Sequence, residues 1–173
     1  MASRTTARRA VRGHMTNKVA IAAIFSSCCV LMVAVGTAAE FVAHADDSVA
    51  VLYSGVNGLR QPCGPLTDDP RLRLAAQWHA DDMLRTGLSG HIGSDGSSPR
   101  TRIAEAGYSR PPATGEIVFW GTGSAANATQ ALDSWMQSPP HRGIIMNCAF
   151  TAAGFATAWD GNKMTVVGDF AAS

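Results

Sequence analysis

The sequence has little histidine and little cysteine, and no cluster of basic residues beyond its amino-terminal segment. Five of its 173 residues are histidine and four are cysteine. No Cys-x-x-Cys pair occurs, which argues against a zinc site built from thiolates. The absence of a basic cluster gives no reason to expect nucleic-acid binding. No internal repeat is present either, so the function has to be sought in a few chemically active side chains.

The amino-terminal segment is typical of an export signal. Five cationic side chains and no acidic one precede an uncharged stretch over residues 19–39. Ala43 and Ala45 then supply the small-x-small pattern that signal peptidase accepts. We therefore expect a signal peptide over residues 1–45, cleaved after Ala45. The uncharged stretch also approaches the roughly 20 residues that span a bilayer, so an uncleaved anchor through residues 19–39 is the alternative, and it is the only membrane contact expected.

Residues 46–173 form the predicted mature domain. They contain nine Lys and Arg against twelve Asp and Glu, a net charge of about −3, whereas the whole chain has +1. A domain of 128 residues buries roughly two-thirds of its unfolded surface, so one compact domain fits this length. We expect it to be secreted or to lie in the cell envelope.

The predicted mature domain retains two cysteines, Cys63 and Cys148. Thiols pair in the oxidising compartments that exported chains enter, and an even count in a small secreted domain is typical of a disulfide. We therefore predict a Cys63–Cys148 disulfide, which contributes about 4 kcal/mol in the chain-entropy treatment. Two separate thiols are the alternative.

Four helices are indicated by apolar residues three or four positions apart and by start and stop signals. The clearest is the second, where Asp69 is a cap, Pro70 suits the first turn and Gly87 ends the helix. On its apolar stripe, His79 is predicted to be a packed core histidine. The four helices are predicted to begin near Asp47, Asp69, Ser98 and Ala125, and the last ends before Pro139-Pro140.

Strand patterns fill the remaining intervals. Residues 116–120 are β-branched and aromatic, while residues 153–159 and 164–170 flank Asp160-Gly161-Asn162, a strong turn sequence. The last two segments are predicted to pair as a hairpin. Helices come first and strands mostly last, so the predicted class is α+β, with an antiparallel sheet covered by helices.

Three short stretches far apart in the chain carry most of the polar chemistry. They supply His91, Glu116, and Ser138 together with His141. Neutral imidazole nitrogens bind zinc or copper well, and two of them with a carboxylate suit an open metal site. The spacings are 25 residues in each case, from His91 to Glu116 and from Glu116 to His141, so no local helix fixes the geometry. We predict that folding gathers these groups around one water-accessible cleft.

Several motifs, taken in order, resemble the secreted bacterial CAP or SCP-like domain. The similarity covers about residues 49–171, and the wider superfamily includes cysteine-rich secretory proteins, insect antigen 5 and plant pathogenesis-related proteins. The cysteine positions are similar to those of an actinobacterial subtype. The matching segments are His-Ile-Gly-Ser-Asp-Gly (91–96), Arg102-Ile103, Ala106-Gly107-Tyr108, Gly115-Glu116, Trp135-Met136, Ser138-Pro139, His141-Arg142, Ile144-Ile145, Gly154 and Phe170.

The resemblance implies an α-β-α sandwich with a small central antiparallel sheet. It also implies a cleft that in many members holds two histidines and two acidic residues, and a divalent ion such as zinc has been found on these histidines. By motif the histidines correspond to His91 and His141, and one acid corresponds to Glu116. Ser138 stands where the eukaryotic pattern has its second glutamate, and Ile117 replaces the usual asparagine. These departures weaken the case for an activity that needs two carboxylates.

We expect a domain whose cleft, formed by His91, Glu116, Ser138 and His141, binds a lipid or another cell-envelope component, with a divalent metal on the two histidines as a further capacity. The alternative is a divalent-metal-dependent hydrolase in which Glu116 is the general base on metal-bound water. An acyl-transfer site at Ser138 and His141 has no sequence mark for an orienting acid or an oxyanion hole. The second alternative is a non-catalytic envelope or host-interaction module in which these polar groups only satisfy one another.

Overall fold

The computed structural model describes residues 47–109 and 111–172. The predicted signal peptide over residues 1–45, with its cleavage site and the alternative anchor, lies outside the described residues. In the part that is described, no helix combines the length and the apolar character needed to cross a membrane.

The described part of the chain contains five α-helices and four β-strands. Helix α1 occupies residues 47–59. The other helices are α2 (Pro70–Thr86), α3 (Pro99–Glu105), α4 (Ala128–Gln137) and α5 (Pro139–Ile145). The strands are β1 (Thr67–Asp68), β2 (Thr114–Thr122), β3 (Ala152–Asp160) and β4 (Lys163–Ala171).

The four strands form one mixed sheet in the order β1-β3-β4-β2. The hairpin of β3 and β4 is confirmed, and Gly161 in its two-residue turn has a φ of 57°, which favours glycine. β2 pairs antiparallel with β4. The expected antiparallel sheet needs one correction, because the two-residue β1 runs parallel to β3, pairing Thr67 with Ala152.

Helices cover both faces of the sheet, which confirms the α+β class and the three-layer sandwich. On one face, α1, α4 and α5 pack on a large apolar cluster that includes Leu52, Trp135, Phe155 and Phe170. On the other face, α2 and α3 pack on smaller clusters rich in alanine. Because side chains alternate along a strand, β2 sends Ile117 to the first face and Glu116 to the second.

The start and stop signals of α2 and the start signal of α3 are confirmed in detail. The Asp69 carboxylate accepts a hydrogen bond from Arg71 N at 2.9 Å, and Pro70 occupies the first turn. Gly87 has a φ of 75° and donates its backbone N–H to Met83 O. Ser98 caps α3 in the same way, accepting from Thr101 N at 3.2 Å. These local signals position the loop between α2 and α3, which carries His91.

The fourth helix begins later than predicted, and a fifth helix follows it. A 3₁₀ turn over Gly123–Ala125 precedes α4, which is capped by Asn127 and begins at Ala128 rather than near Ala125. Pro139-Pro140 ends α4 as predicted, but the sequence analysis did not predict α5, which begins there. A proline without an amide donor suits the first turn of a new helix as well as the end of an old one.

The predicted disulfide is confirmed, with Cys63 and Cys148 separated by 4.8 Å between Cα atoms. Beside it, the buried guanidinium of Arg60 donates to three backbone carbonyls at and beyond the end of α5, those of Ile145, Asn147 and Phe150. The disulfide and Arg60 therefore fasten the segment after α1 to the segment after α5. This connection holds α5, and with it His141, against the sheet.

Helix α2 lies directly on β3 at Gly154. A Cβ atom at this position would collide with the backbone of Leu72 and Arg73, so only glycine permits so close an approach. Gly154 is the register partner of Asp169, which is in turn the partner of Glu116. The contact therefore covers a row across the sheet in which two of the three residues are acidic.

Candidate functional site

His91 and Glu116 are joined by a hydrogen bond between the α2–α3 loop and β2. His91 Nδ1 lies 2.8 Å from Glu116 Oε1, and because a carboxylate can only accept, Nδ1 is the donor. Glu116 is 5% exposed, whereas about half of the His91 side chain is exposed. The bond to Glu116 raises the pKa of His91, with partial burial opposing. Glu116 thus fixes the ring orientation and leaves Nε2 directed away from it.

The second oxygen of Glu116 is held by Arg102 of α3. Arg102 Nη2 lies 2.5 Å from Glu116 Oε2, and the arginine is 3% exposed. The same guanidinium donates to His91 O at 3.1 Å and to Ser97 O at 2.9 Å. It therefore binds both the carboxylate and the loop that carries His91. Both oxygens of Glu116 are engaged, one by a neutral or cationic imidazole and the other by a permanent cation.

His141 reaches the same place from α5. Its ring centroid is 6.3 Å from that of His91, and the two rings are inclined at 73°. Partial burial lowers the pKa of His141, and the neighbouring His91 charge lowers it further. Within the described residues no hydrogen bond engages the His141 ring. The structure therefore brings together three of the four predicted side chains: His91, Glu116 and His141.

Ser138 is placed differently from these three. It is the residue between α4 and α5, where its backbone N–H bonds to Ser134 O and its carbonyl accepts from Arg142 N. Its hydroxyl makes no capping bond, and in the described part of the chain no hydrogen bond joins it to His141. The structure thus assigns Ser138 a role in the turn, and an acyl-transfer pair with His141 has no geometric support.

Two cavities border the buried Glu116–Arg102 pair. One, of about 320 Å³, is lined by His91 and Glu116 together with Ser98, Pro99, Arg100, Thr114 and Gly115. The other, of about 410 Å³, is lined by Arg102 and His79, with charged residues of α2 and the following loop around them. The first cavity is an open volume beside His91 and is large enough for part of a ligand.

His79 is buried as predicted, yet it also belongs to this region. It is 1% exposed, and its Nε2 donates to Gly90 O at 2.7 Å. The same nitrogen is 3.9 Å from Glu116 Oε1. An imidazole on the apolar stripe of a helix gave no sign that a carboxylate would lie opposite it.

Asp169 is the acidic residue that the sequence analysis missed. It lies on β4 directly opposite Glu116, is fully buried, and neither of its carboxyl oxygens has a hydrogen-bond partner among the described groups. Burial raises its pKa well above the usual range, and the Glu116 charge raises it further. A signal was present in the sequence, since a single acid interrupts the otherwise uncharged strand segment 164–170.

The described residues do not form a complete metal site. In the described ranges no group of three or more His, Cys, Asp or Glu side chains is arranged to hold an ion. Each oxygen of Glu116 already accepts one hydrogen bond, Oε1 from His91 and Oε2 from Arg102. However, a carboxylate that holds the Nδ1 proton of a histidine is a common support for a metal-binding Nε2. His91 and His141 would therefore be the two protein ligands.

Comparison with known proteins places the chain in a family. A profile of the cysteine-rich secretory protein family, CAP, matches residues 53–170. A search of curated proteins found no match. Among solved structures, an outer surface protein from Borrelia burgdorferi is similar with a TM-score of 0.65 and 22% identity, over 73% of this chain and 92% of that one.

Two further structures are similar at lower identity. An extracellular protein containing an SCP domain from Bacillus anthracis has a TM-score of 0.62 and 18% identity, over 75% of this chain and 41% of that one. NaASP2, crystallised with Zn²⁺, has a TM-score of 0.50 and 14% identity, over 73% of this chain and 80% of that one. At these identities the structures support the fold alone. Because the family profile spans most of the sequence, the chain belongs to the cysteine-rich secretory protein (CAP) family.

Proposed function

We propose that this chain is an exported CAP-domain protein that binds a lipid or another cell-envelope component over His91 and His141, and that it acts by binding rather than by turnover. The leader-like residues 1–45 support export, as do similar proteins described as extracellular or as outer-surface proteins. The half-exposed imidazole of His91 beside a cavity of about 320 Å³ supports a binding face.

The observation that carries this proposal is the burial of Glu116 together with the hydrogen bonds on both of its oxygens. A general base needs an oxygen that the water or hydroxyl it deprotonates can approach. Here Oε1 is bonded to His91 and Oε2 to Arg102, while the carboxylate is almost completely buried. By contrast, His91 and His141 are both at least partly exposed. That arrangement favours ligand binding over the metal-dependent hydrolase.

A divalent metal on His91 and His141 is the second candidate. It is supported by the orientation of His91, whose Nε2 faces away from Glu116, and by the adjacent ring of His141. The structurally similar NaASP2 was crystallised with Zn²⁺. When bound, such an ion supplies a local positive charge that attracts an anionic head group. The chain would contribute two imidazoles, one of them oriented by a buried carboxylate.

The test combines zinc titration with vesicle binding on the purified protein. His91→Ala and His141→Ala, singly and together, are compared with Lys163→Ala, which changes an exposed residue at the hairpin turn. We expect the double variant to lose zinc uptake and to lose binding to vesicles of anionic phospholipid, while the control matches the wild type. If the double variant still binds vesicles, the lipid site lies elsewhere. Absence of zinc uptake by the wild type would remove the metal candidate.

The hydrolase alternative has its own outcome in the same experiment. It requires zinc-dependent turnover of an ester or peptide substrate that Glu116→Gln abolishes. Such a result would replace the binding proposal, which gives the chain no turnover.

A further inference from the structure

Asp169 is a buried acid that takes no part in the proposed ligand binding. Asp169 and Glu116 are register partners on antiparallel strands, so their Cβ atoms are about 4.5–5.5 Å apart and their carboxyl groups share one environment. Helix α2 covers this row of the sheet through its backbone contact at Gly154. As a result Asp169 is 0% exposed, and solvent cannot stabilise a charge on it.

The hydrogen-bond donors in this region donate to Glu116 and not to Asp169. Glu116 receives hydrogen bonds from His91 and Arg102, whereas neither oxygen of Asp169 accepts one from any described group. An ionised carboxylate buried without a donor is far less stable than a neutral one. A protonated carboxyl, by contrast, carries its own O–H donor and can direct it at a neighbouring carboxylate.

We propose that Asp169 is a protonated carboxylic acid in the folded protein and a positioning residue of the site, donating its hydrogen bond to Glu116. Three parts of the fold contribute other charged or titratable groups around this pair: Arg102 from α3, His79 from α2 and His91 from the α2–α3 loop. With Asp169 neutral, the buried interior holds one carboxylate and one guanidinium. The negative charge that His91 meets is then that of Glu116 alone.

The direction of the Asp169 pKa agrees with this assignment. Burial is the largest cause of the rise and the charge of Glu116 is the next, while Arg102 acts in the opposite direction. The competing arrangement has both acids ionised around the single guanidinium of Arg102. The two arrangements make opposite predictions for the effect of pH on stability.

The test is Asp169→Asn, which preserves the shape of the side chain and removes its titration. An aspartate in the unfolded chain ionises near pH 3.9, so folding must take up a proton at neutral pH if folded Asp169 is protonated. The wild-type folding constant then falls relative to that of the variant by up to tenfold per pH unit, up to the folded pKa. Urea unfolding from pH 5 to pH 9 should therefore show a difference that grows in favour of Asn.

The slope of that difference with pH is the readout, because packing differences between Asp and Asn do not change with pH. Asp69→Asn is the matched control. Its carboxylate is ionised in both states above pH 5, since Arg71 lowers its pKa, and asparagine is an equally good cap, so its difference from the wild type should be flat. A flat difference for Asp169→Asn as well would show that folded Asp169 is ionised, and would overturn the inference.

Two further measurements test independently whether Asp169 is protonated in the folded protein. Asp169→Asn should leave the His91 ring pKa, followed by NMR, within a few tenths of its wild-type value, because no charge is removed. A fall of about one unit would contradict the inference. If the variant does not fold, the infrared spectrum of the wild type at pH 7 must still contain a protonated-carboxyl band, and its absence would also contradict it. None of these measurements uses a ligand, so they can fail independently of the proposed function.

Discussion

The two faces of the sheet bury different kinds of side chain. The face under α1, α4 and α5 holds most of the large buried apolar side chains, among them Trp135, Phe155 and Phe170. The face under α2 and α3 is packed mostly by alanine, and buries Glu116, Asp169, Arg102 and His79 within the same layer. Side chains alternate along each strand, so a single strand such as β2 contributes side chains to both faces.

In this small domain, one face of the sheet therefore provides most of the stability and the other face carries the polar groups of the site. Apolar area removed from water on the first face stabilises the fold in proportion to its size. The second face contributes little area, and small side chains there let α2 approach closely enough to exclude water from the acids. The buried charge of Glu116 on that face requires partners, and these are Arg102 and the partly exposed His91. The polar face is therefore organised around the site.

The largest expected effect is that of Trp135→Ala on the apolar face. Trp135 is fully buried, packs on Phe155 and donates from Nε1 to Val118 O at 2.8 Å. Its removal should lower the free energy of unfolding by about 3–5 kcal/mol, as measured by urea denaturation. Lys163→Ala is the control and should change little. A loss below about 1 kcal/mol would contradict the assignment of this face as the main source of stability.

Arg102→Met should produce a loss of about 3 kcal/mol on the polar face, because it leaves Glu116 buried without its cation. The comparison becomes sharper in the double variant Arg102→Met with Glu116→Gln, in which no unpaired charge remains. Thermal unfolding should show that the double variant is more stable than Arg102→Met alone. Additive losses would indicate that the two side chains do not form a coupled pair.

Removal of the disulfide through Cys63→Ser with Cys148→Ser should lower stability by about 2–4 kcal/mol, near or just below the Arg102 effect. The bridge fastens the segment beyond α5, so the change also tests how His141 is held. Arg60 keeps its bonds to the same segment. We therefore expect zinc uptake to survive in the folded fraction, and its complete loss would show that the disulfide alone positions α5.

The smallest effect on stability is expected for His91→Ala and His141→Ala. Neither ring belongs to an apolar cluster, so His141→Ala should lower the free energy of unfolding by less than about 0.5 kcal/mol. His91→Ala also removes one of the two donors to Glu116 and should cost about 1 kcal/mol. Binding of zinc or of anionic vesicles should nevertheless be lost. Stability that falls by more than about 2 kcal/mol would mean that these rings support the fold rather than a ligand.

The sequence predicted well those features that depend on near neighbours. The caps of α2, the β3–β4 hairpin and the pairing of Cys63 with Cys148 each follow from a local signal or from the count of cysteines. Helix α5 was missed because the proline pair that ends α4 also begins the next helix. The α-β-α architecture was expected from family resemblance rather than from periodicity.

The buried partners of the site could not be predicted from local signals. Nothing around Arg102 distinguishes a buried arginine from an exposed one on a seven-residue helix. Asp169 was visible as an acid in an apolar strand, but its meaning depends on the register that places it opposite Glu116. Such pairings arise only when strands and helices from distant parts of the chain are assembled.

The most direct test of the account is the ring pKa of His91, measured by NMR titration in the wild type and in Glu116→Gln. The wild-type value should lie above the usual 6.5 for a histidine, because the buried carboxylate stabilises the imidazolium. In Glu116→Gln it should fall to that value or below, with the fold retained. An unchanged pKa in the folded variant would show that Glu116 does not hold His91, and the account of the polar face would be contradicted.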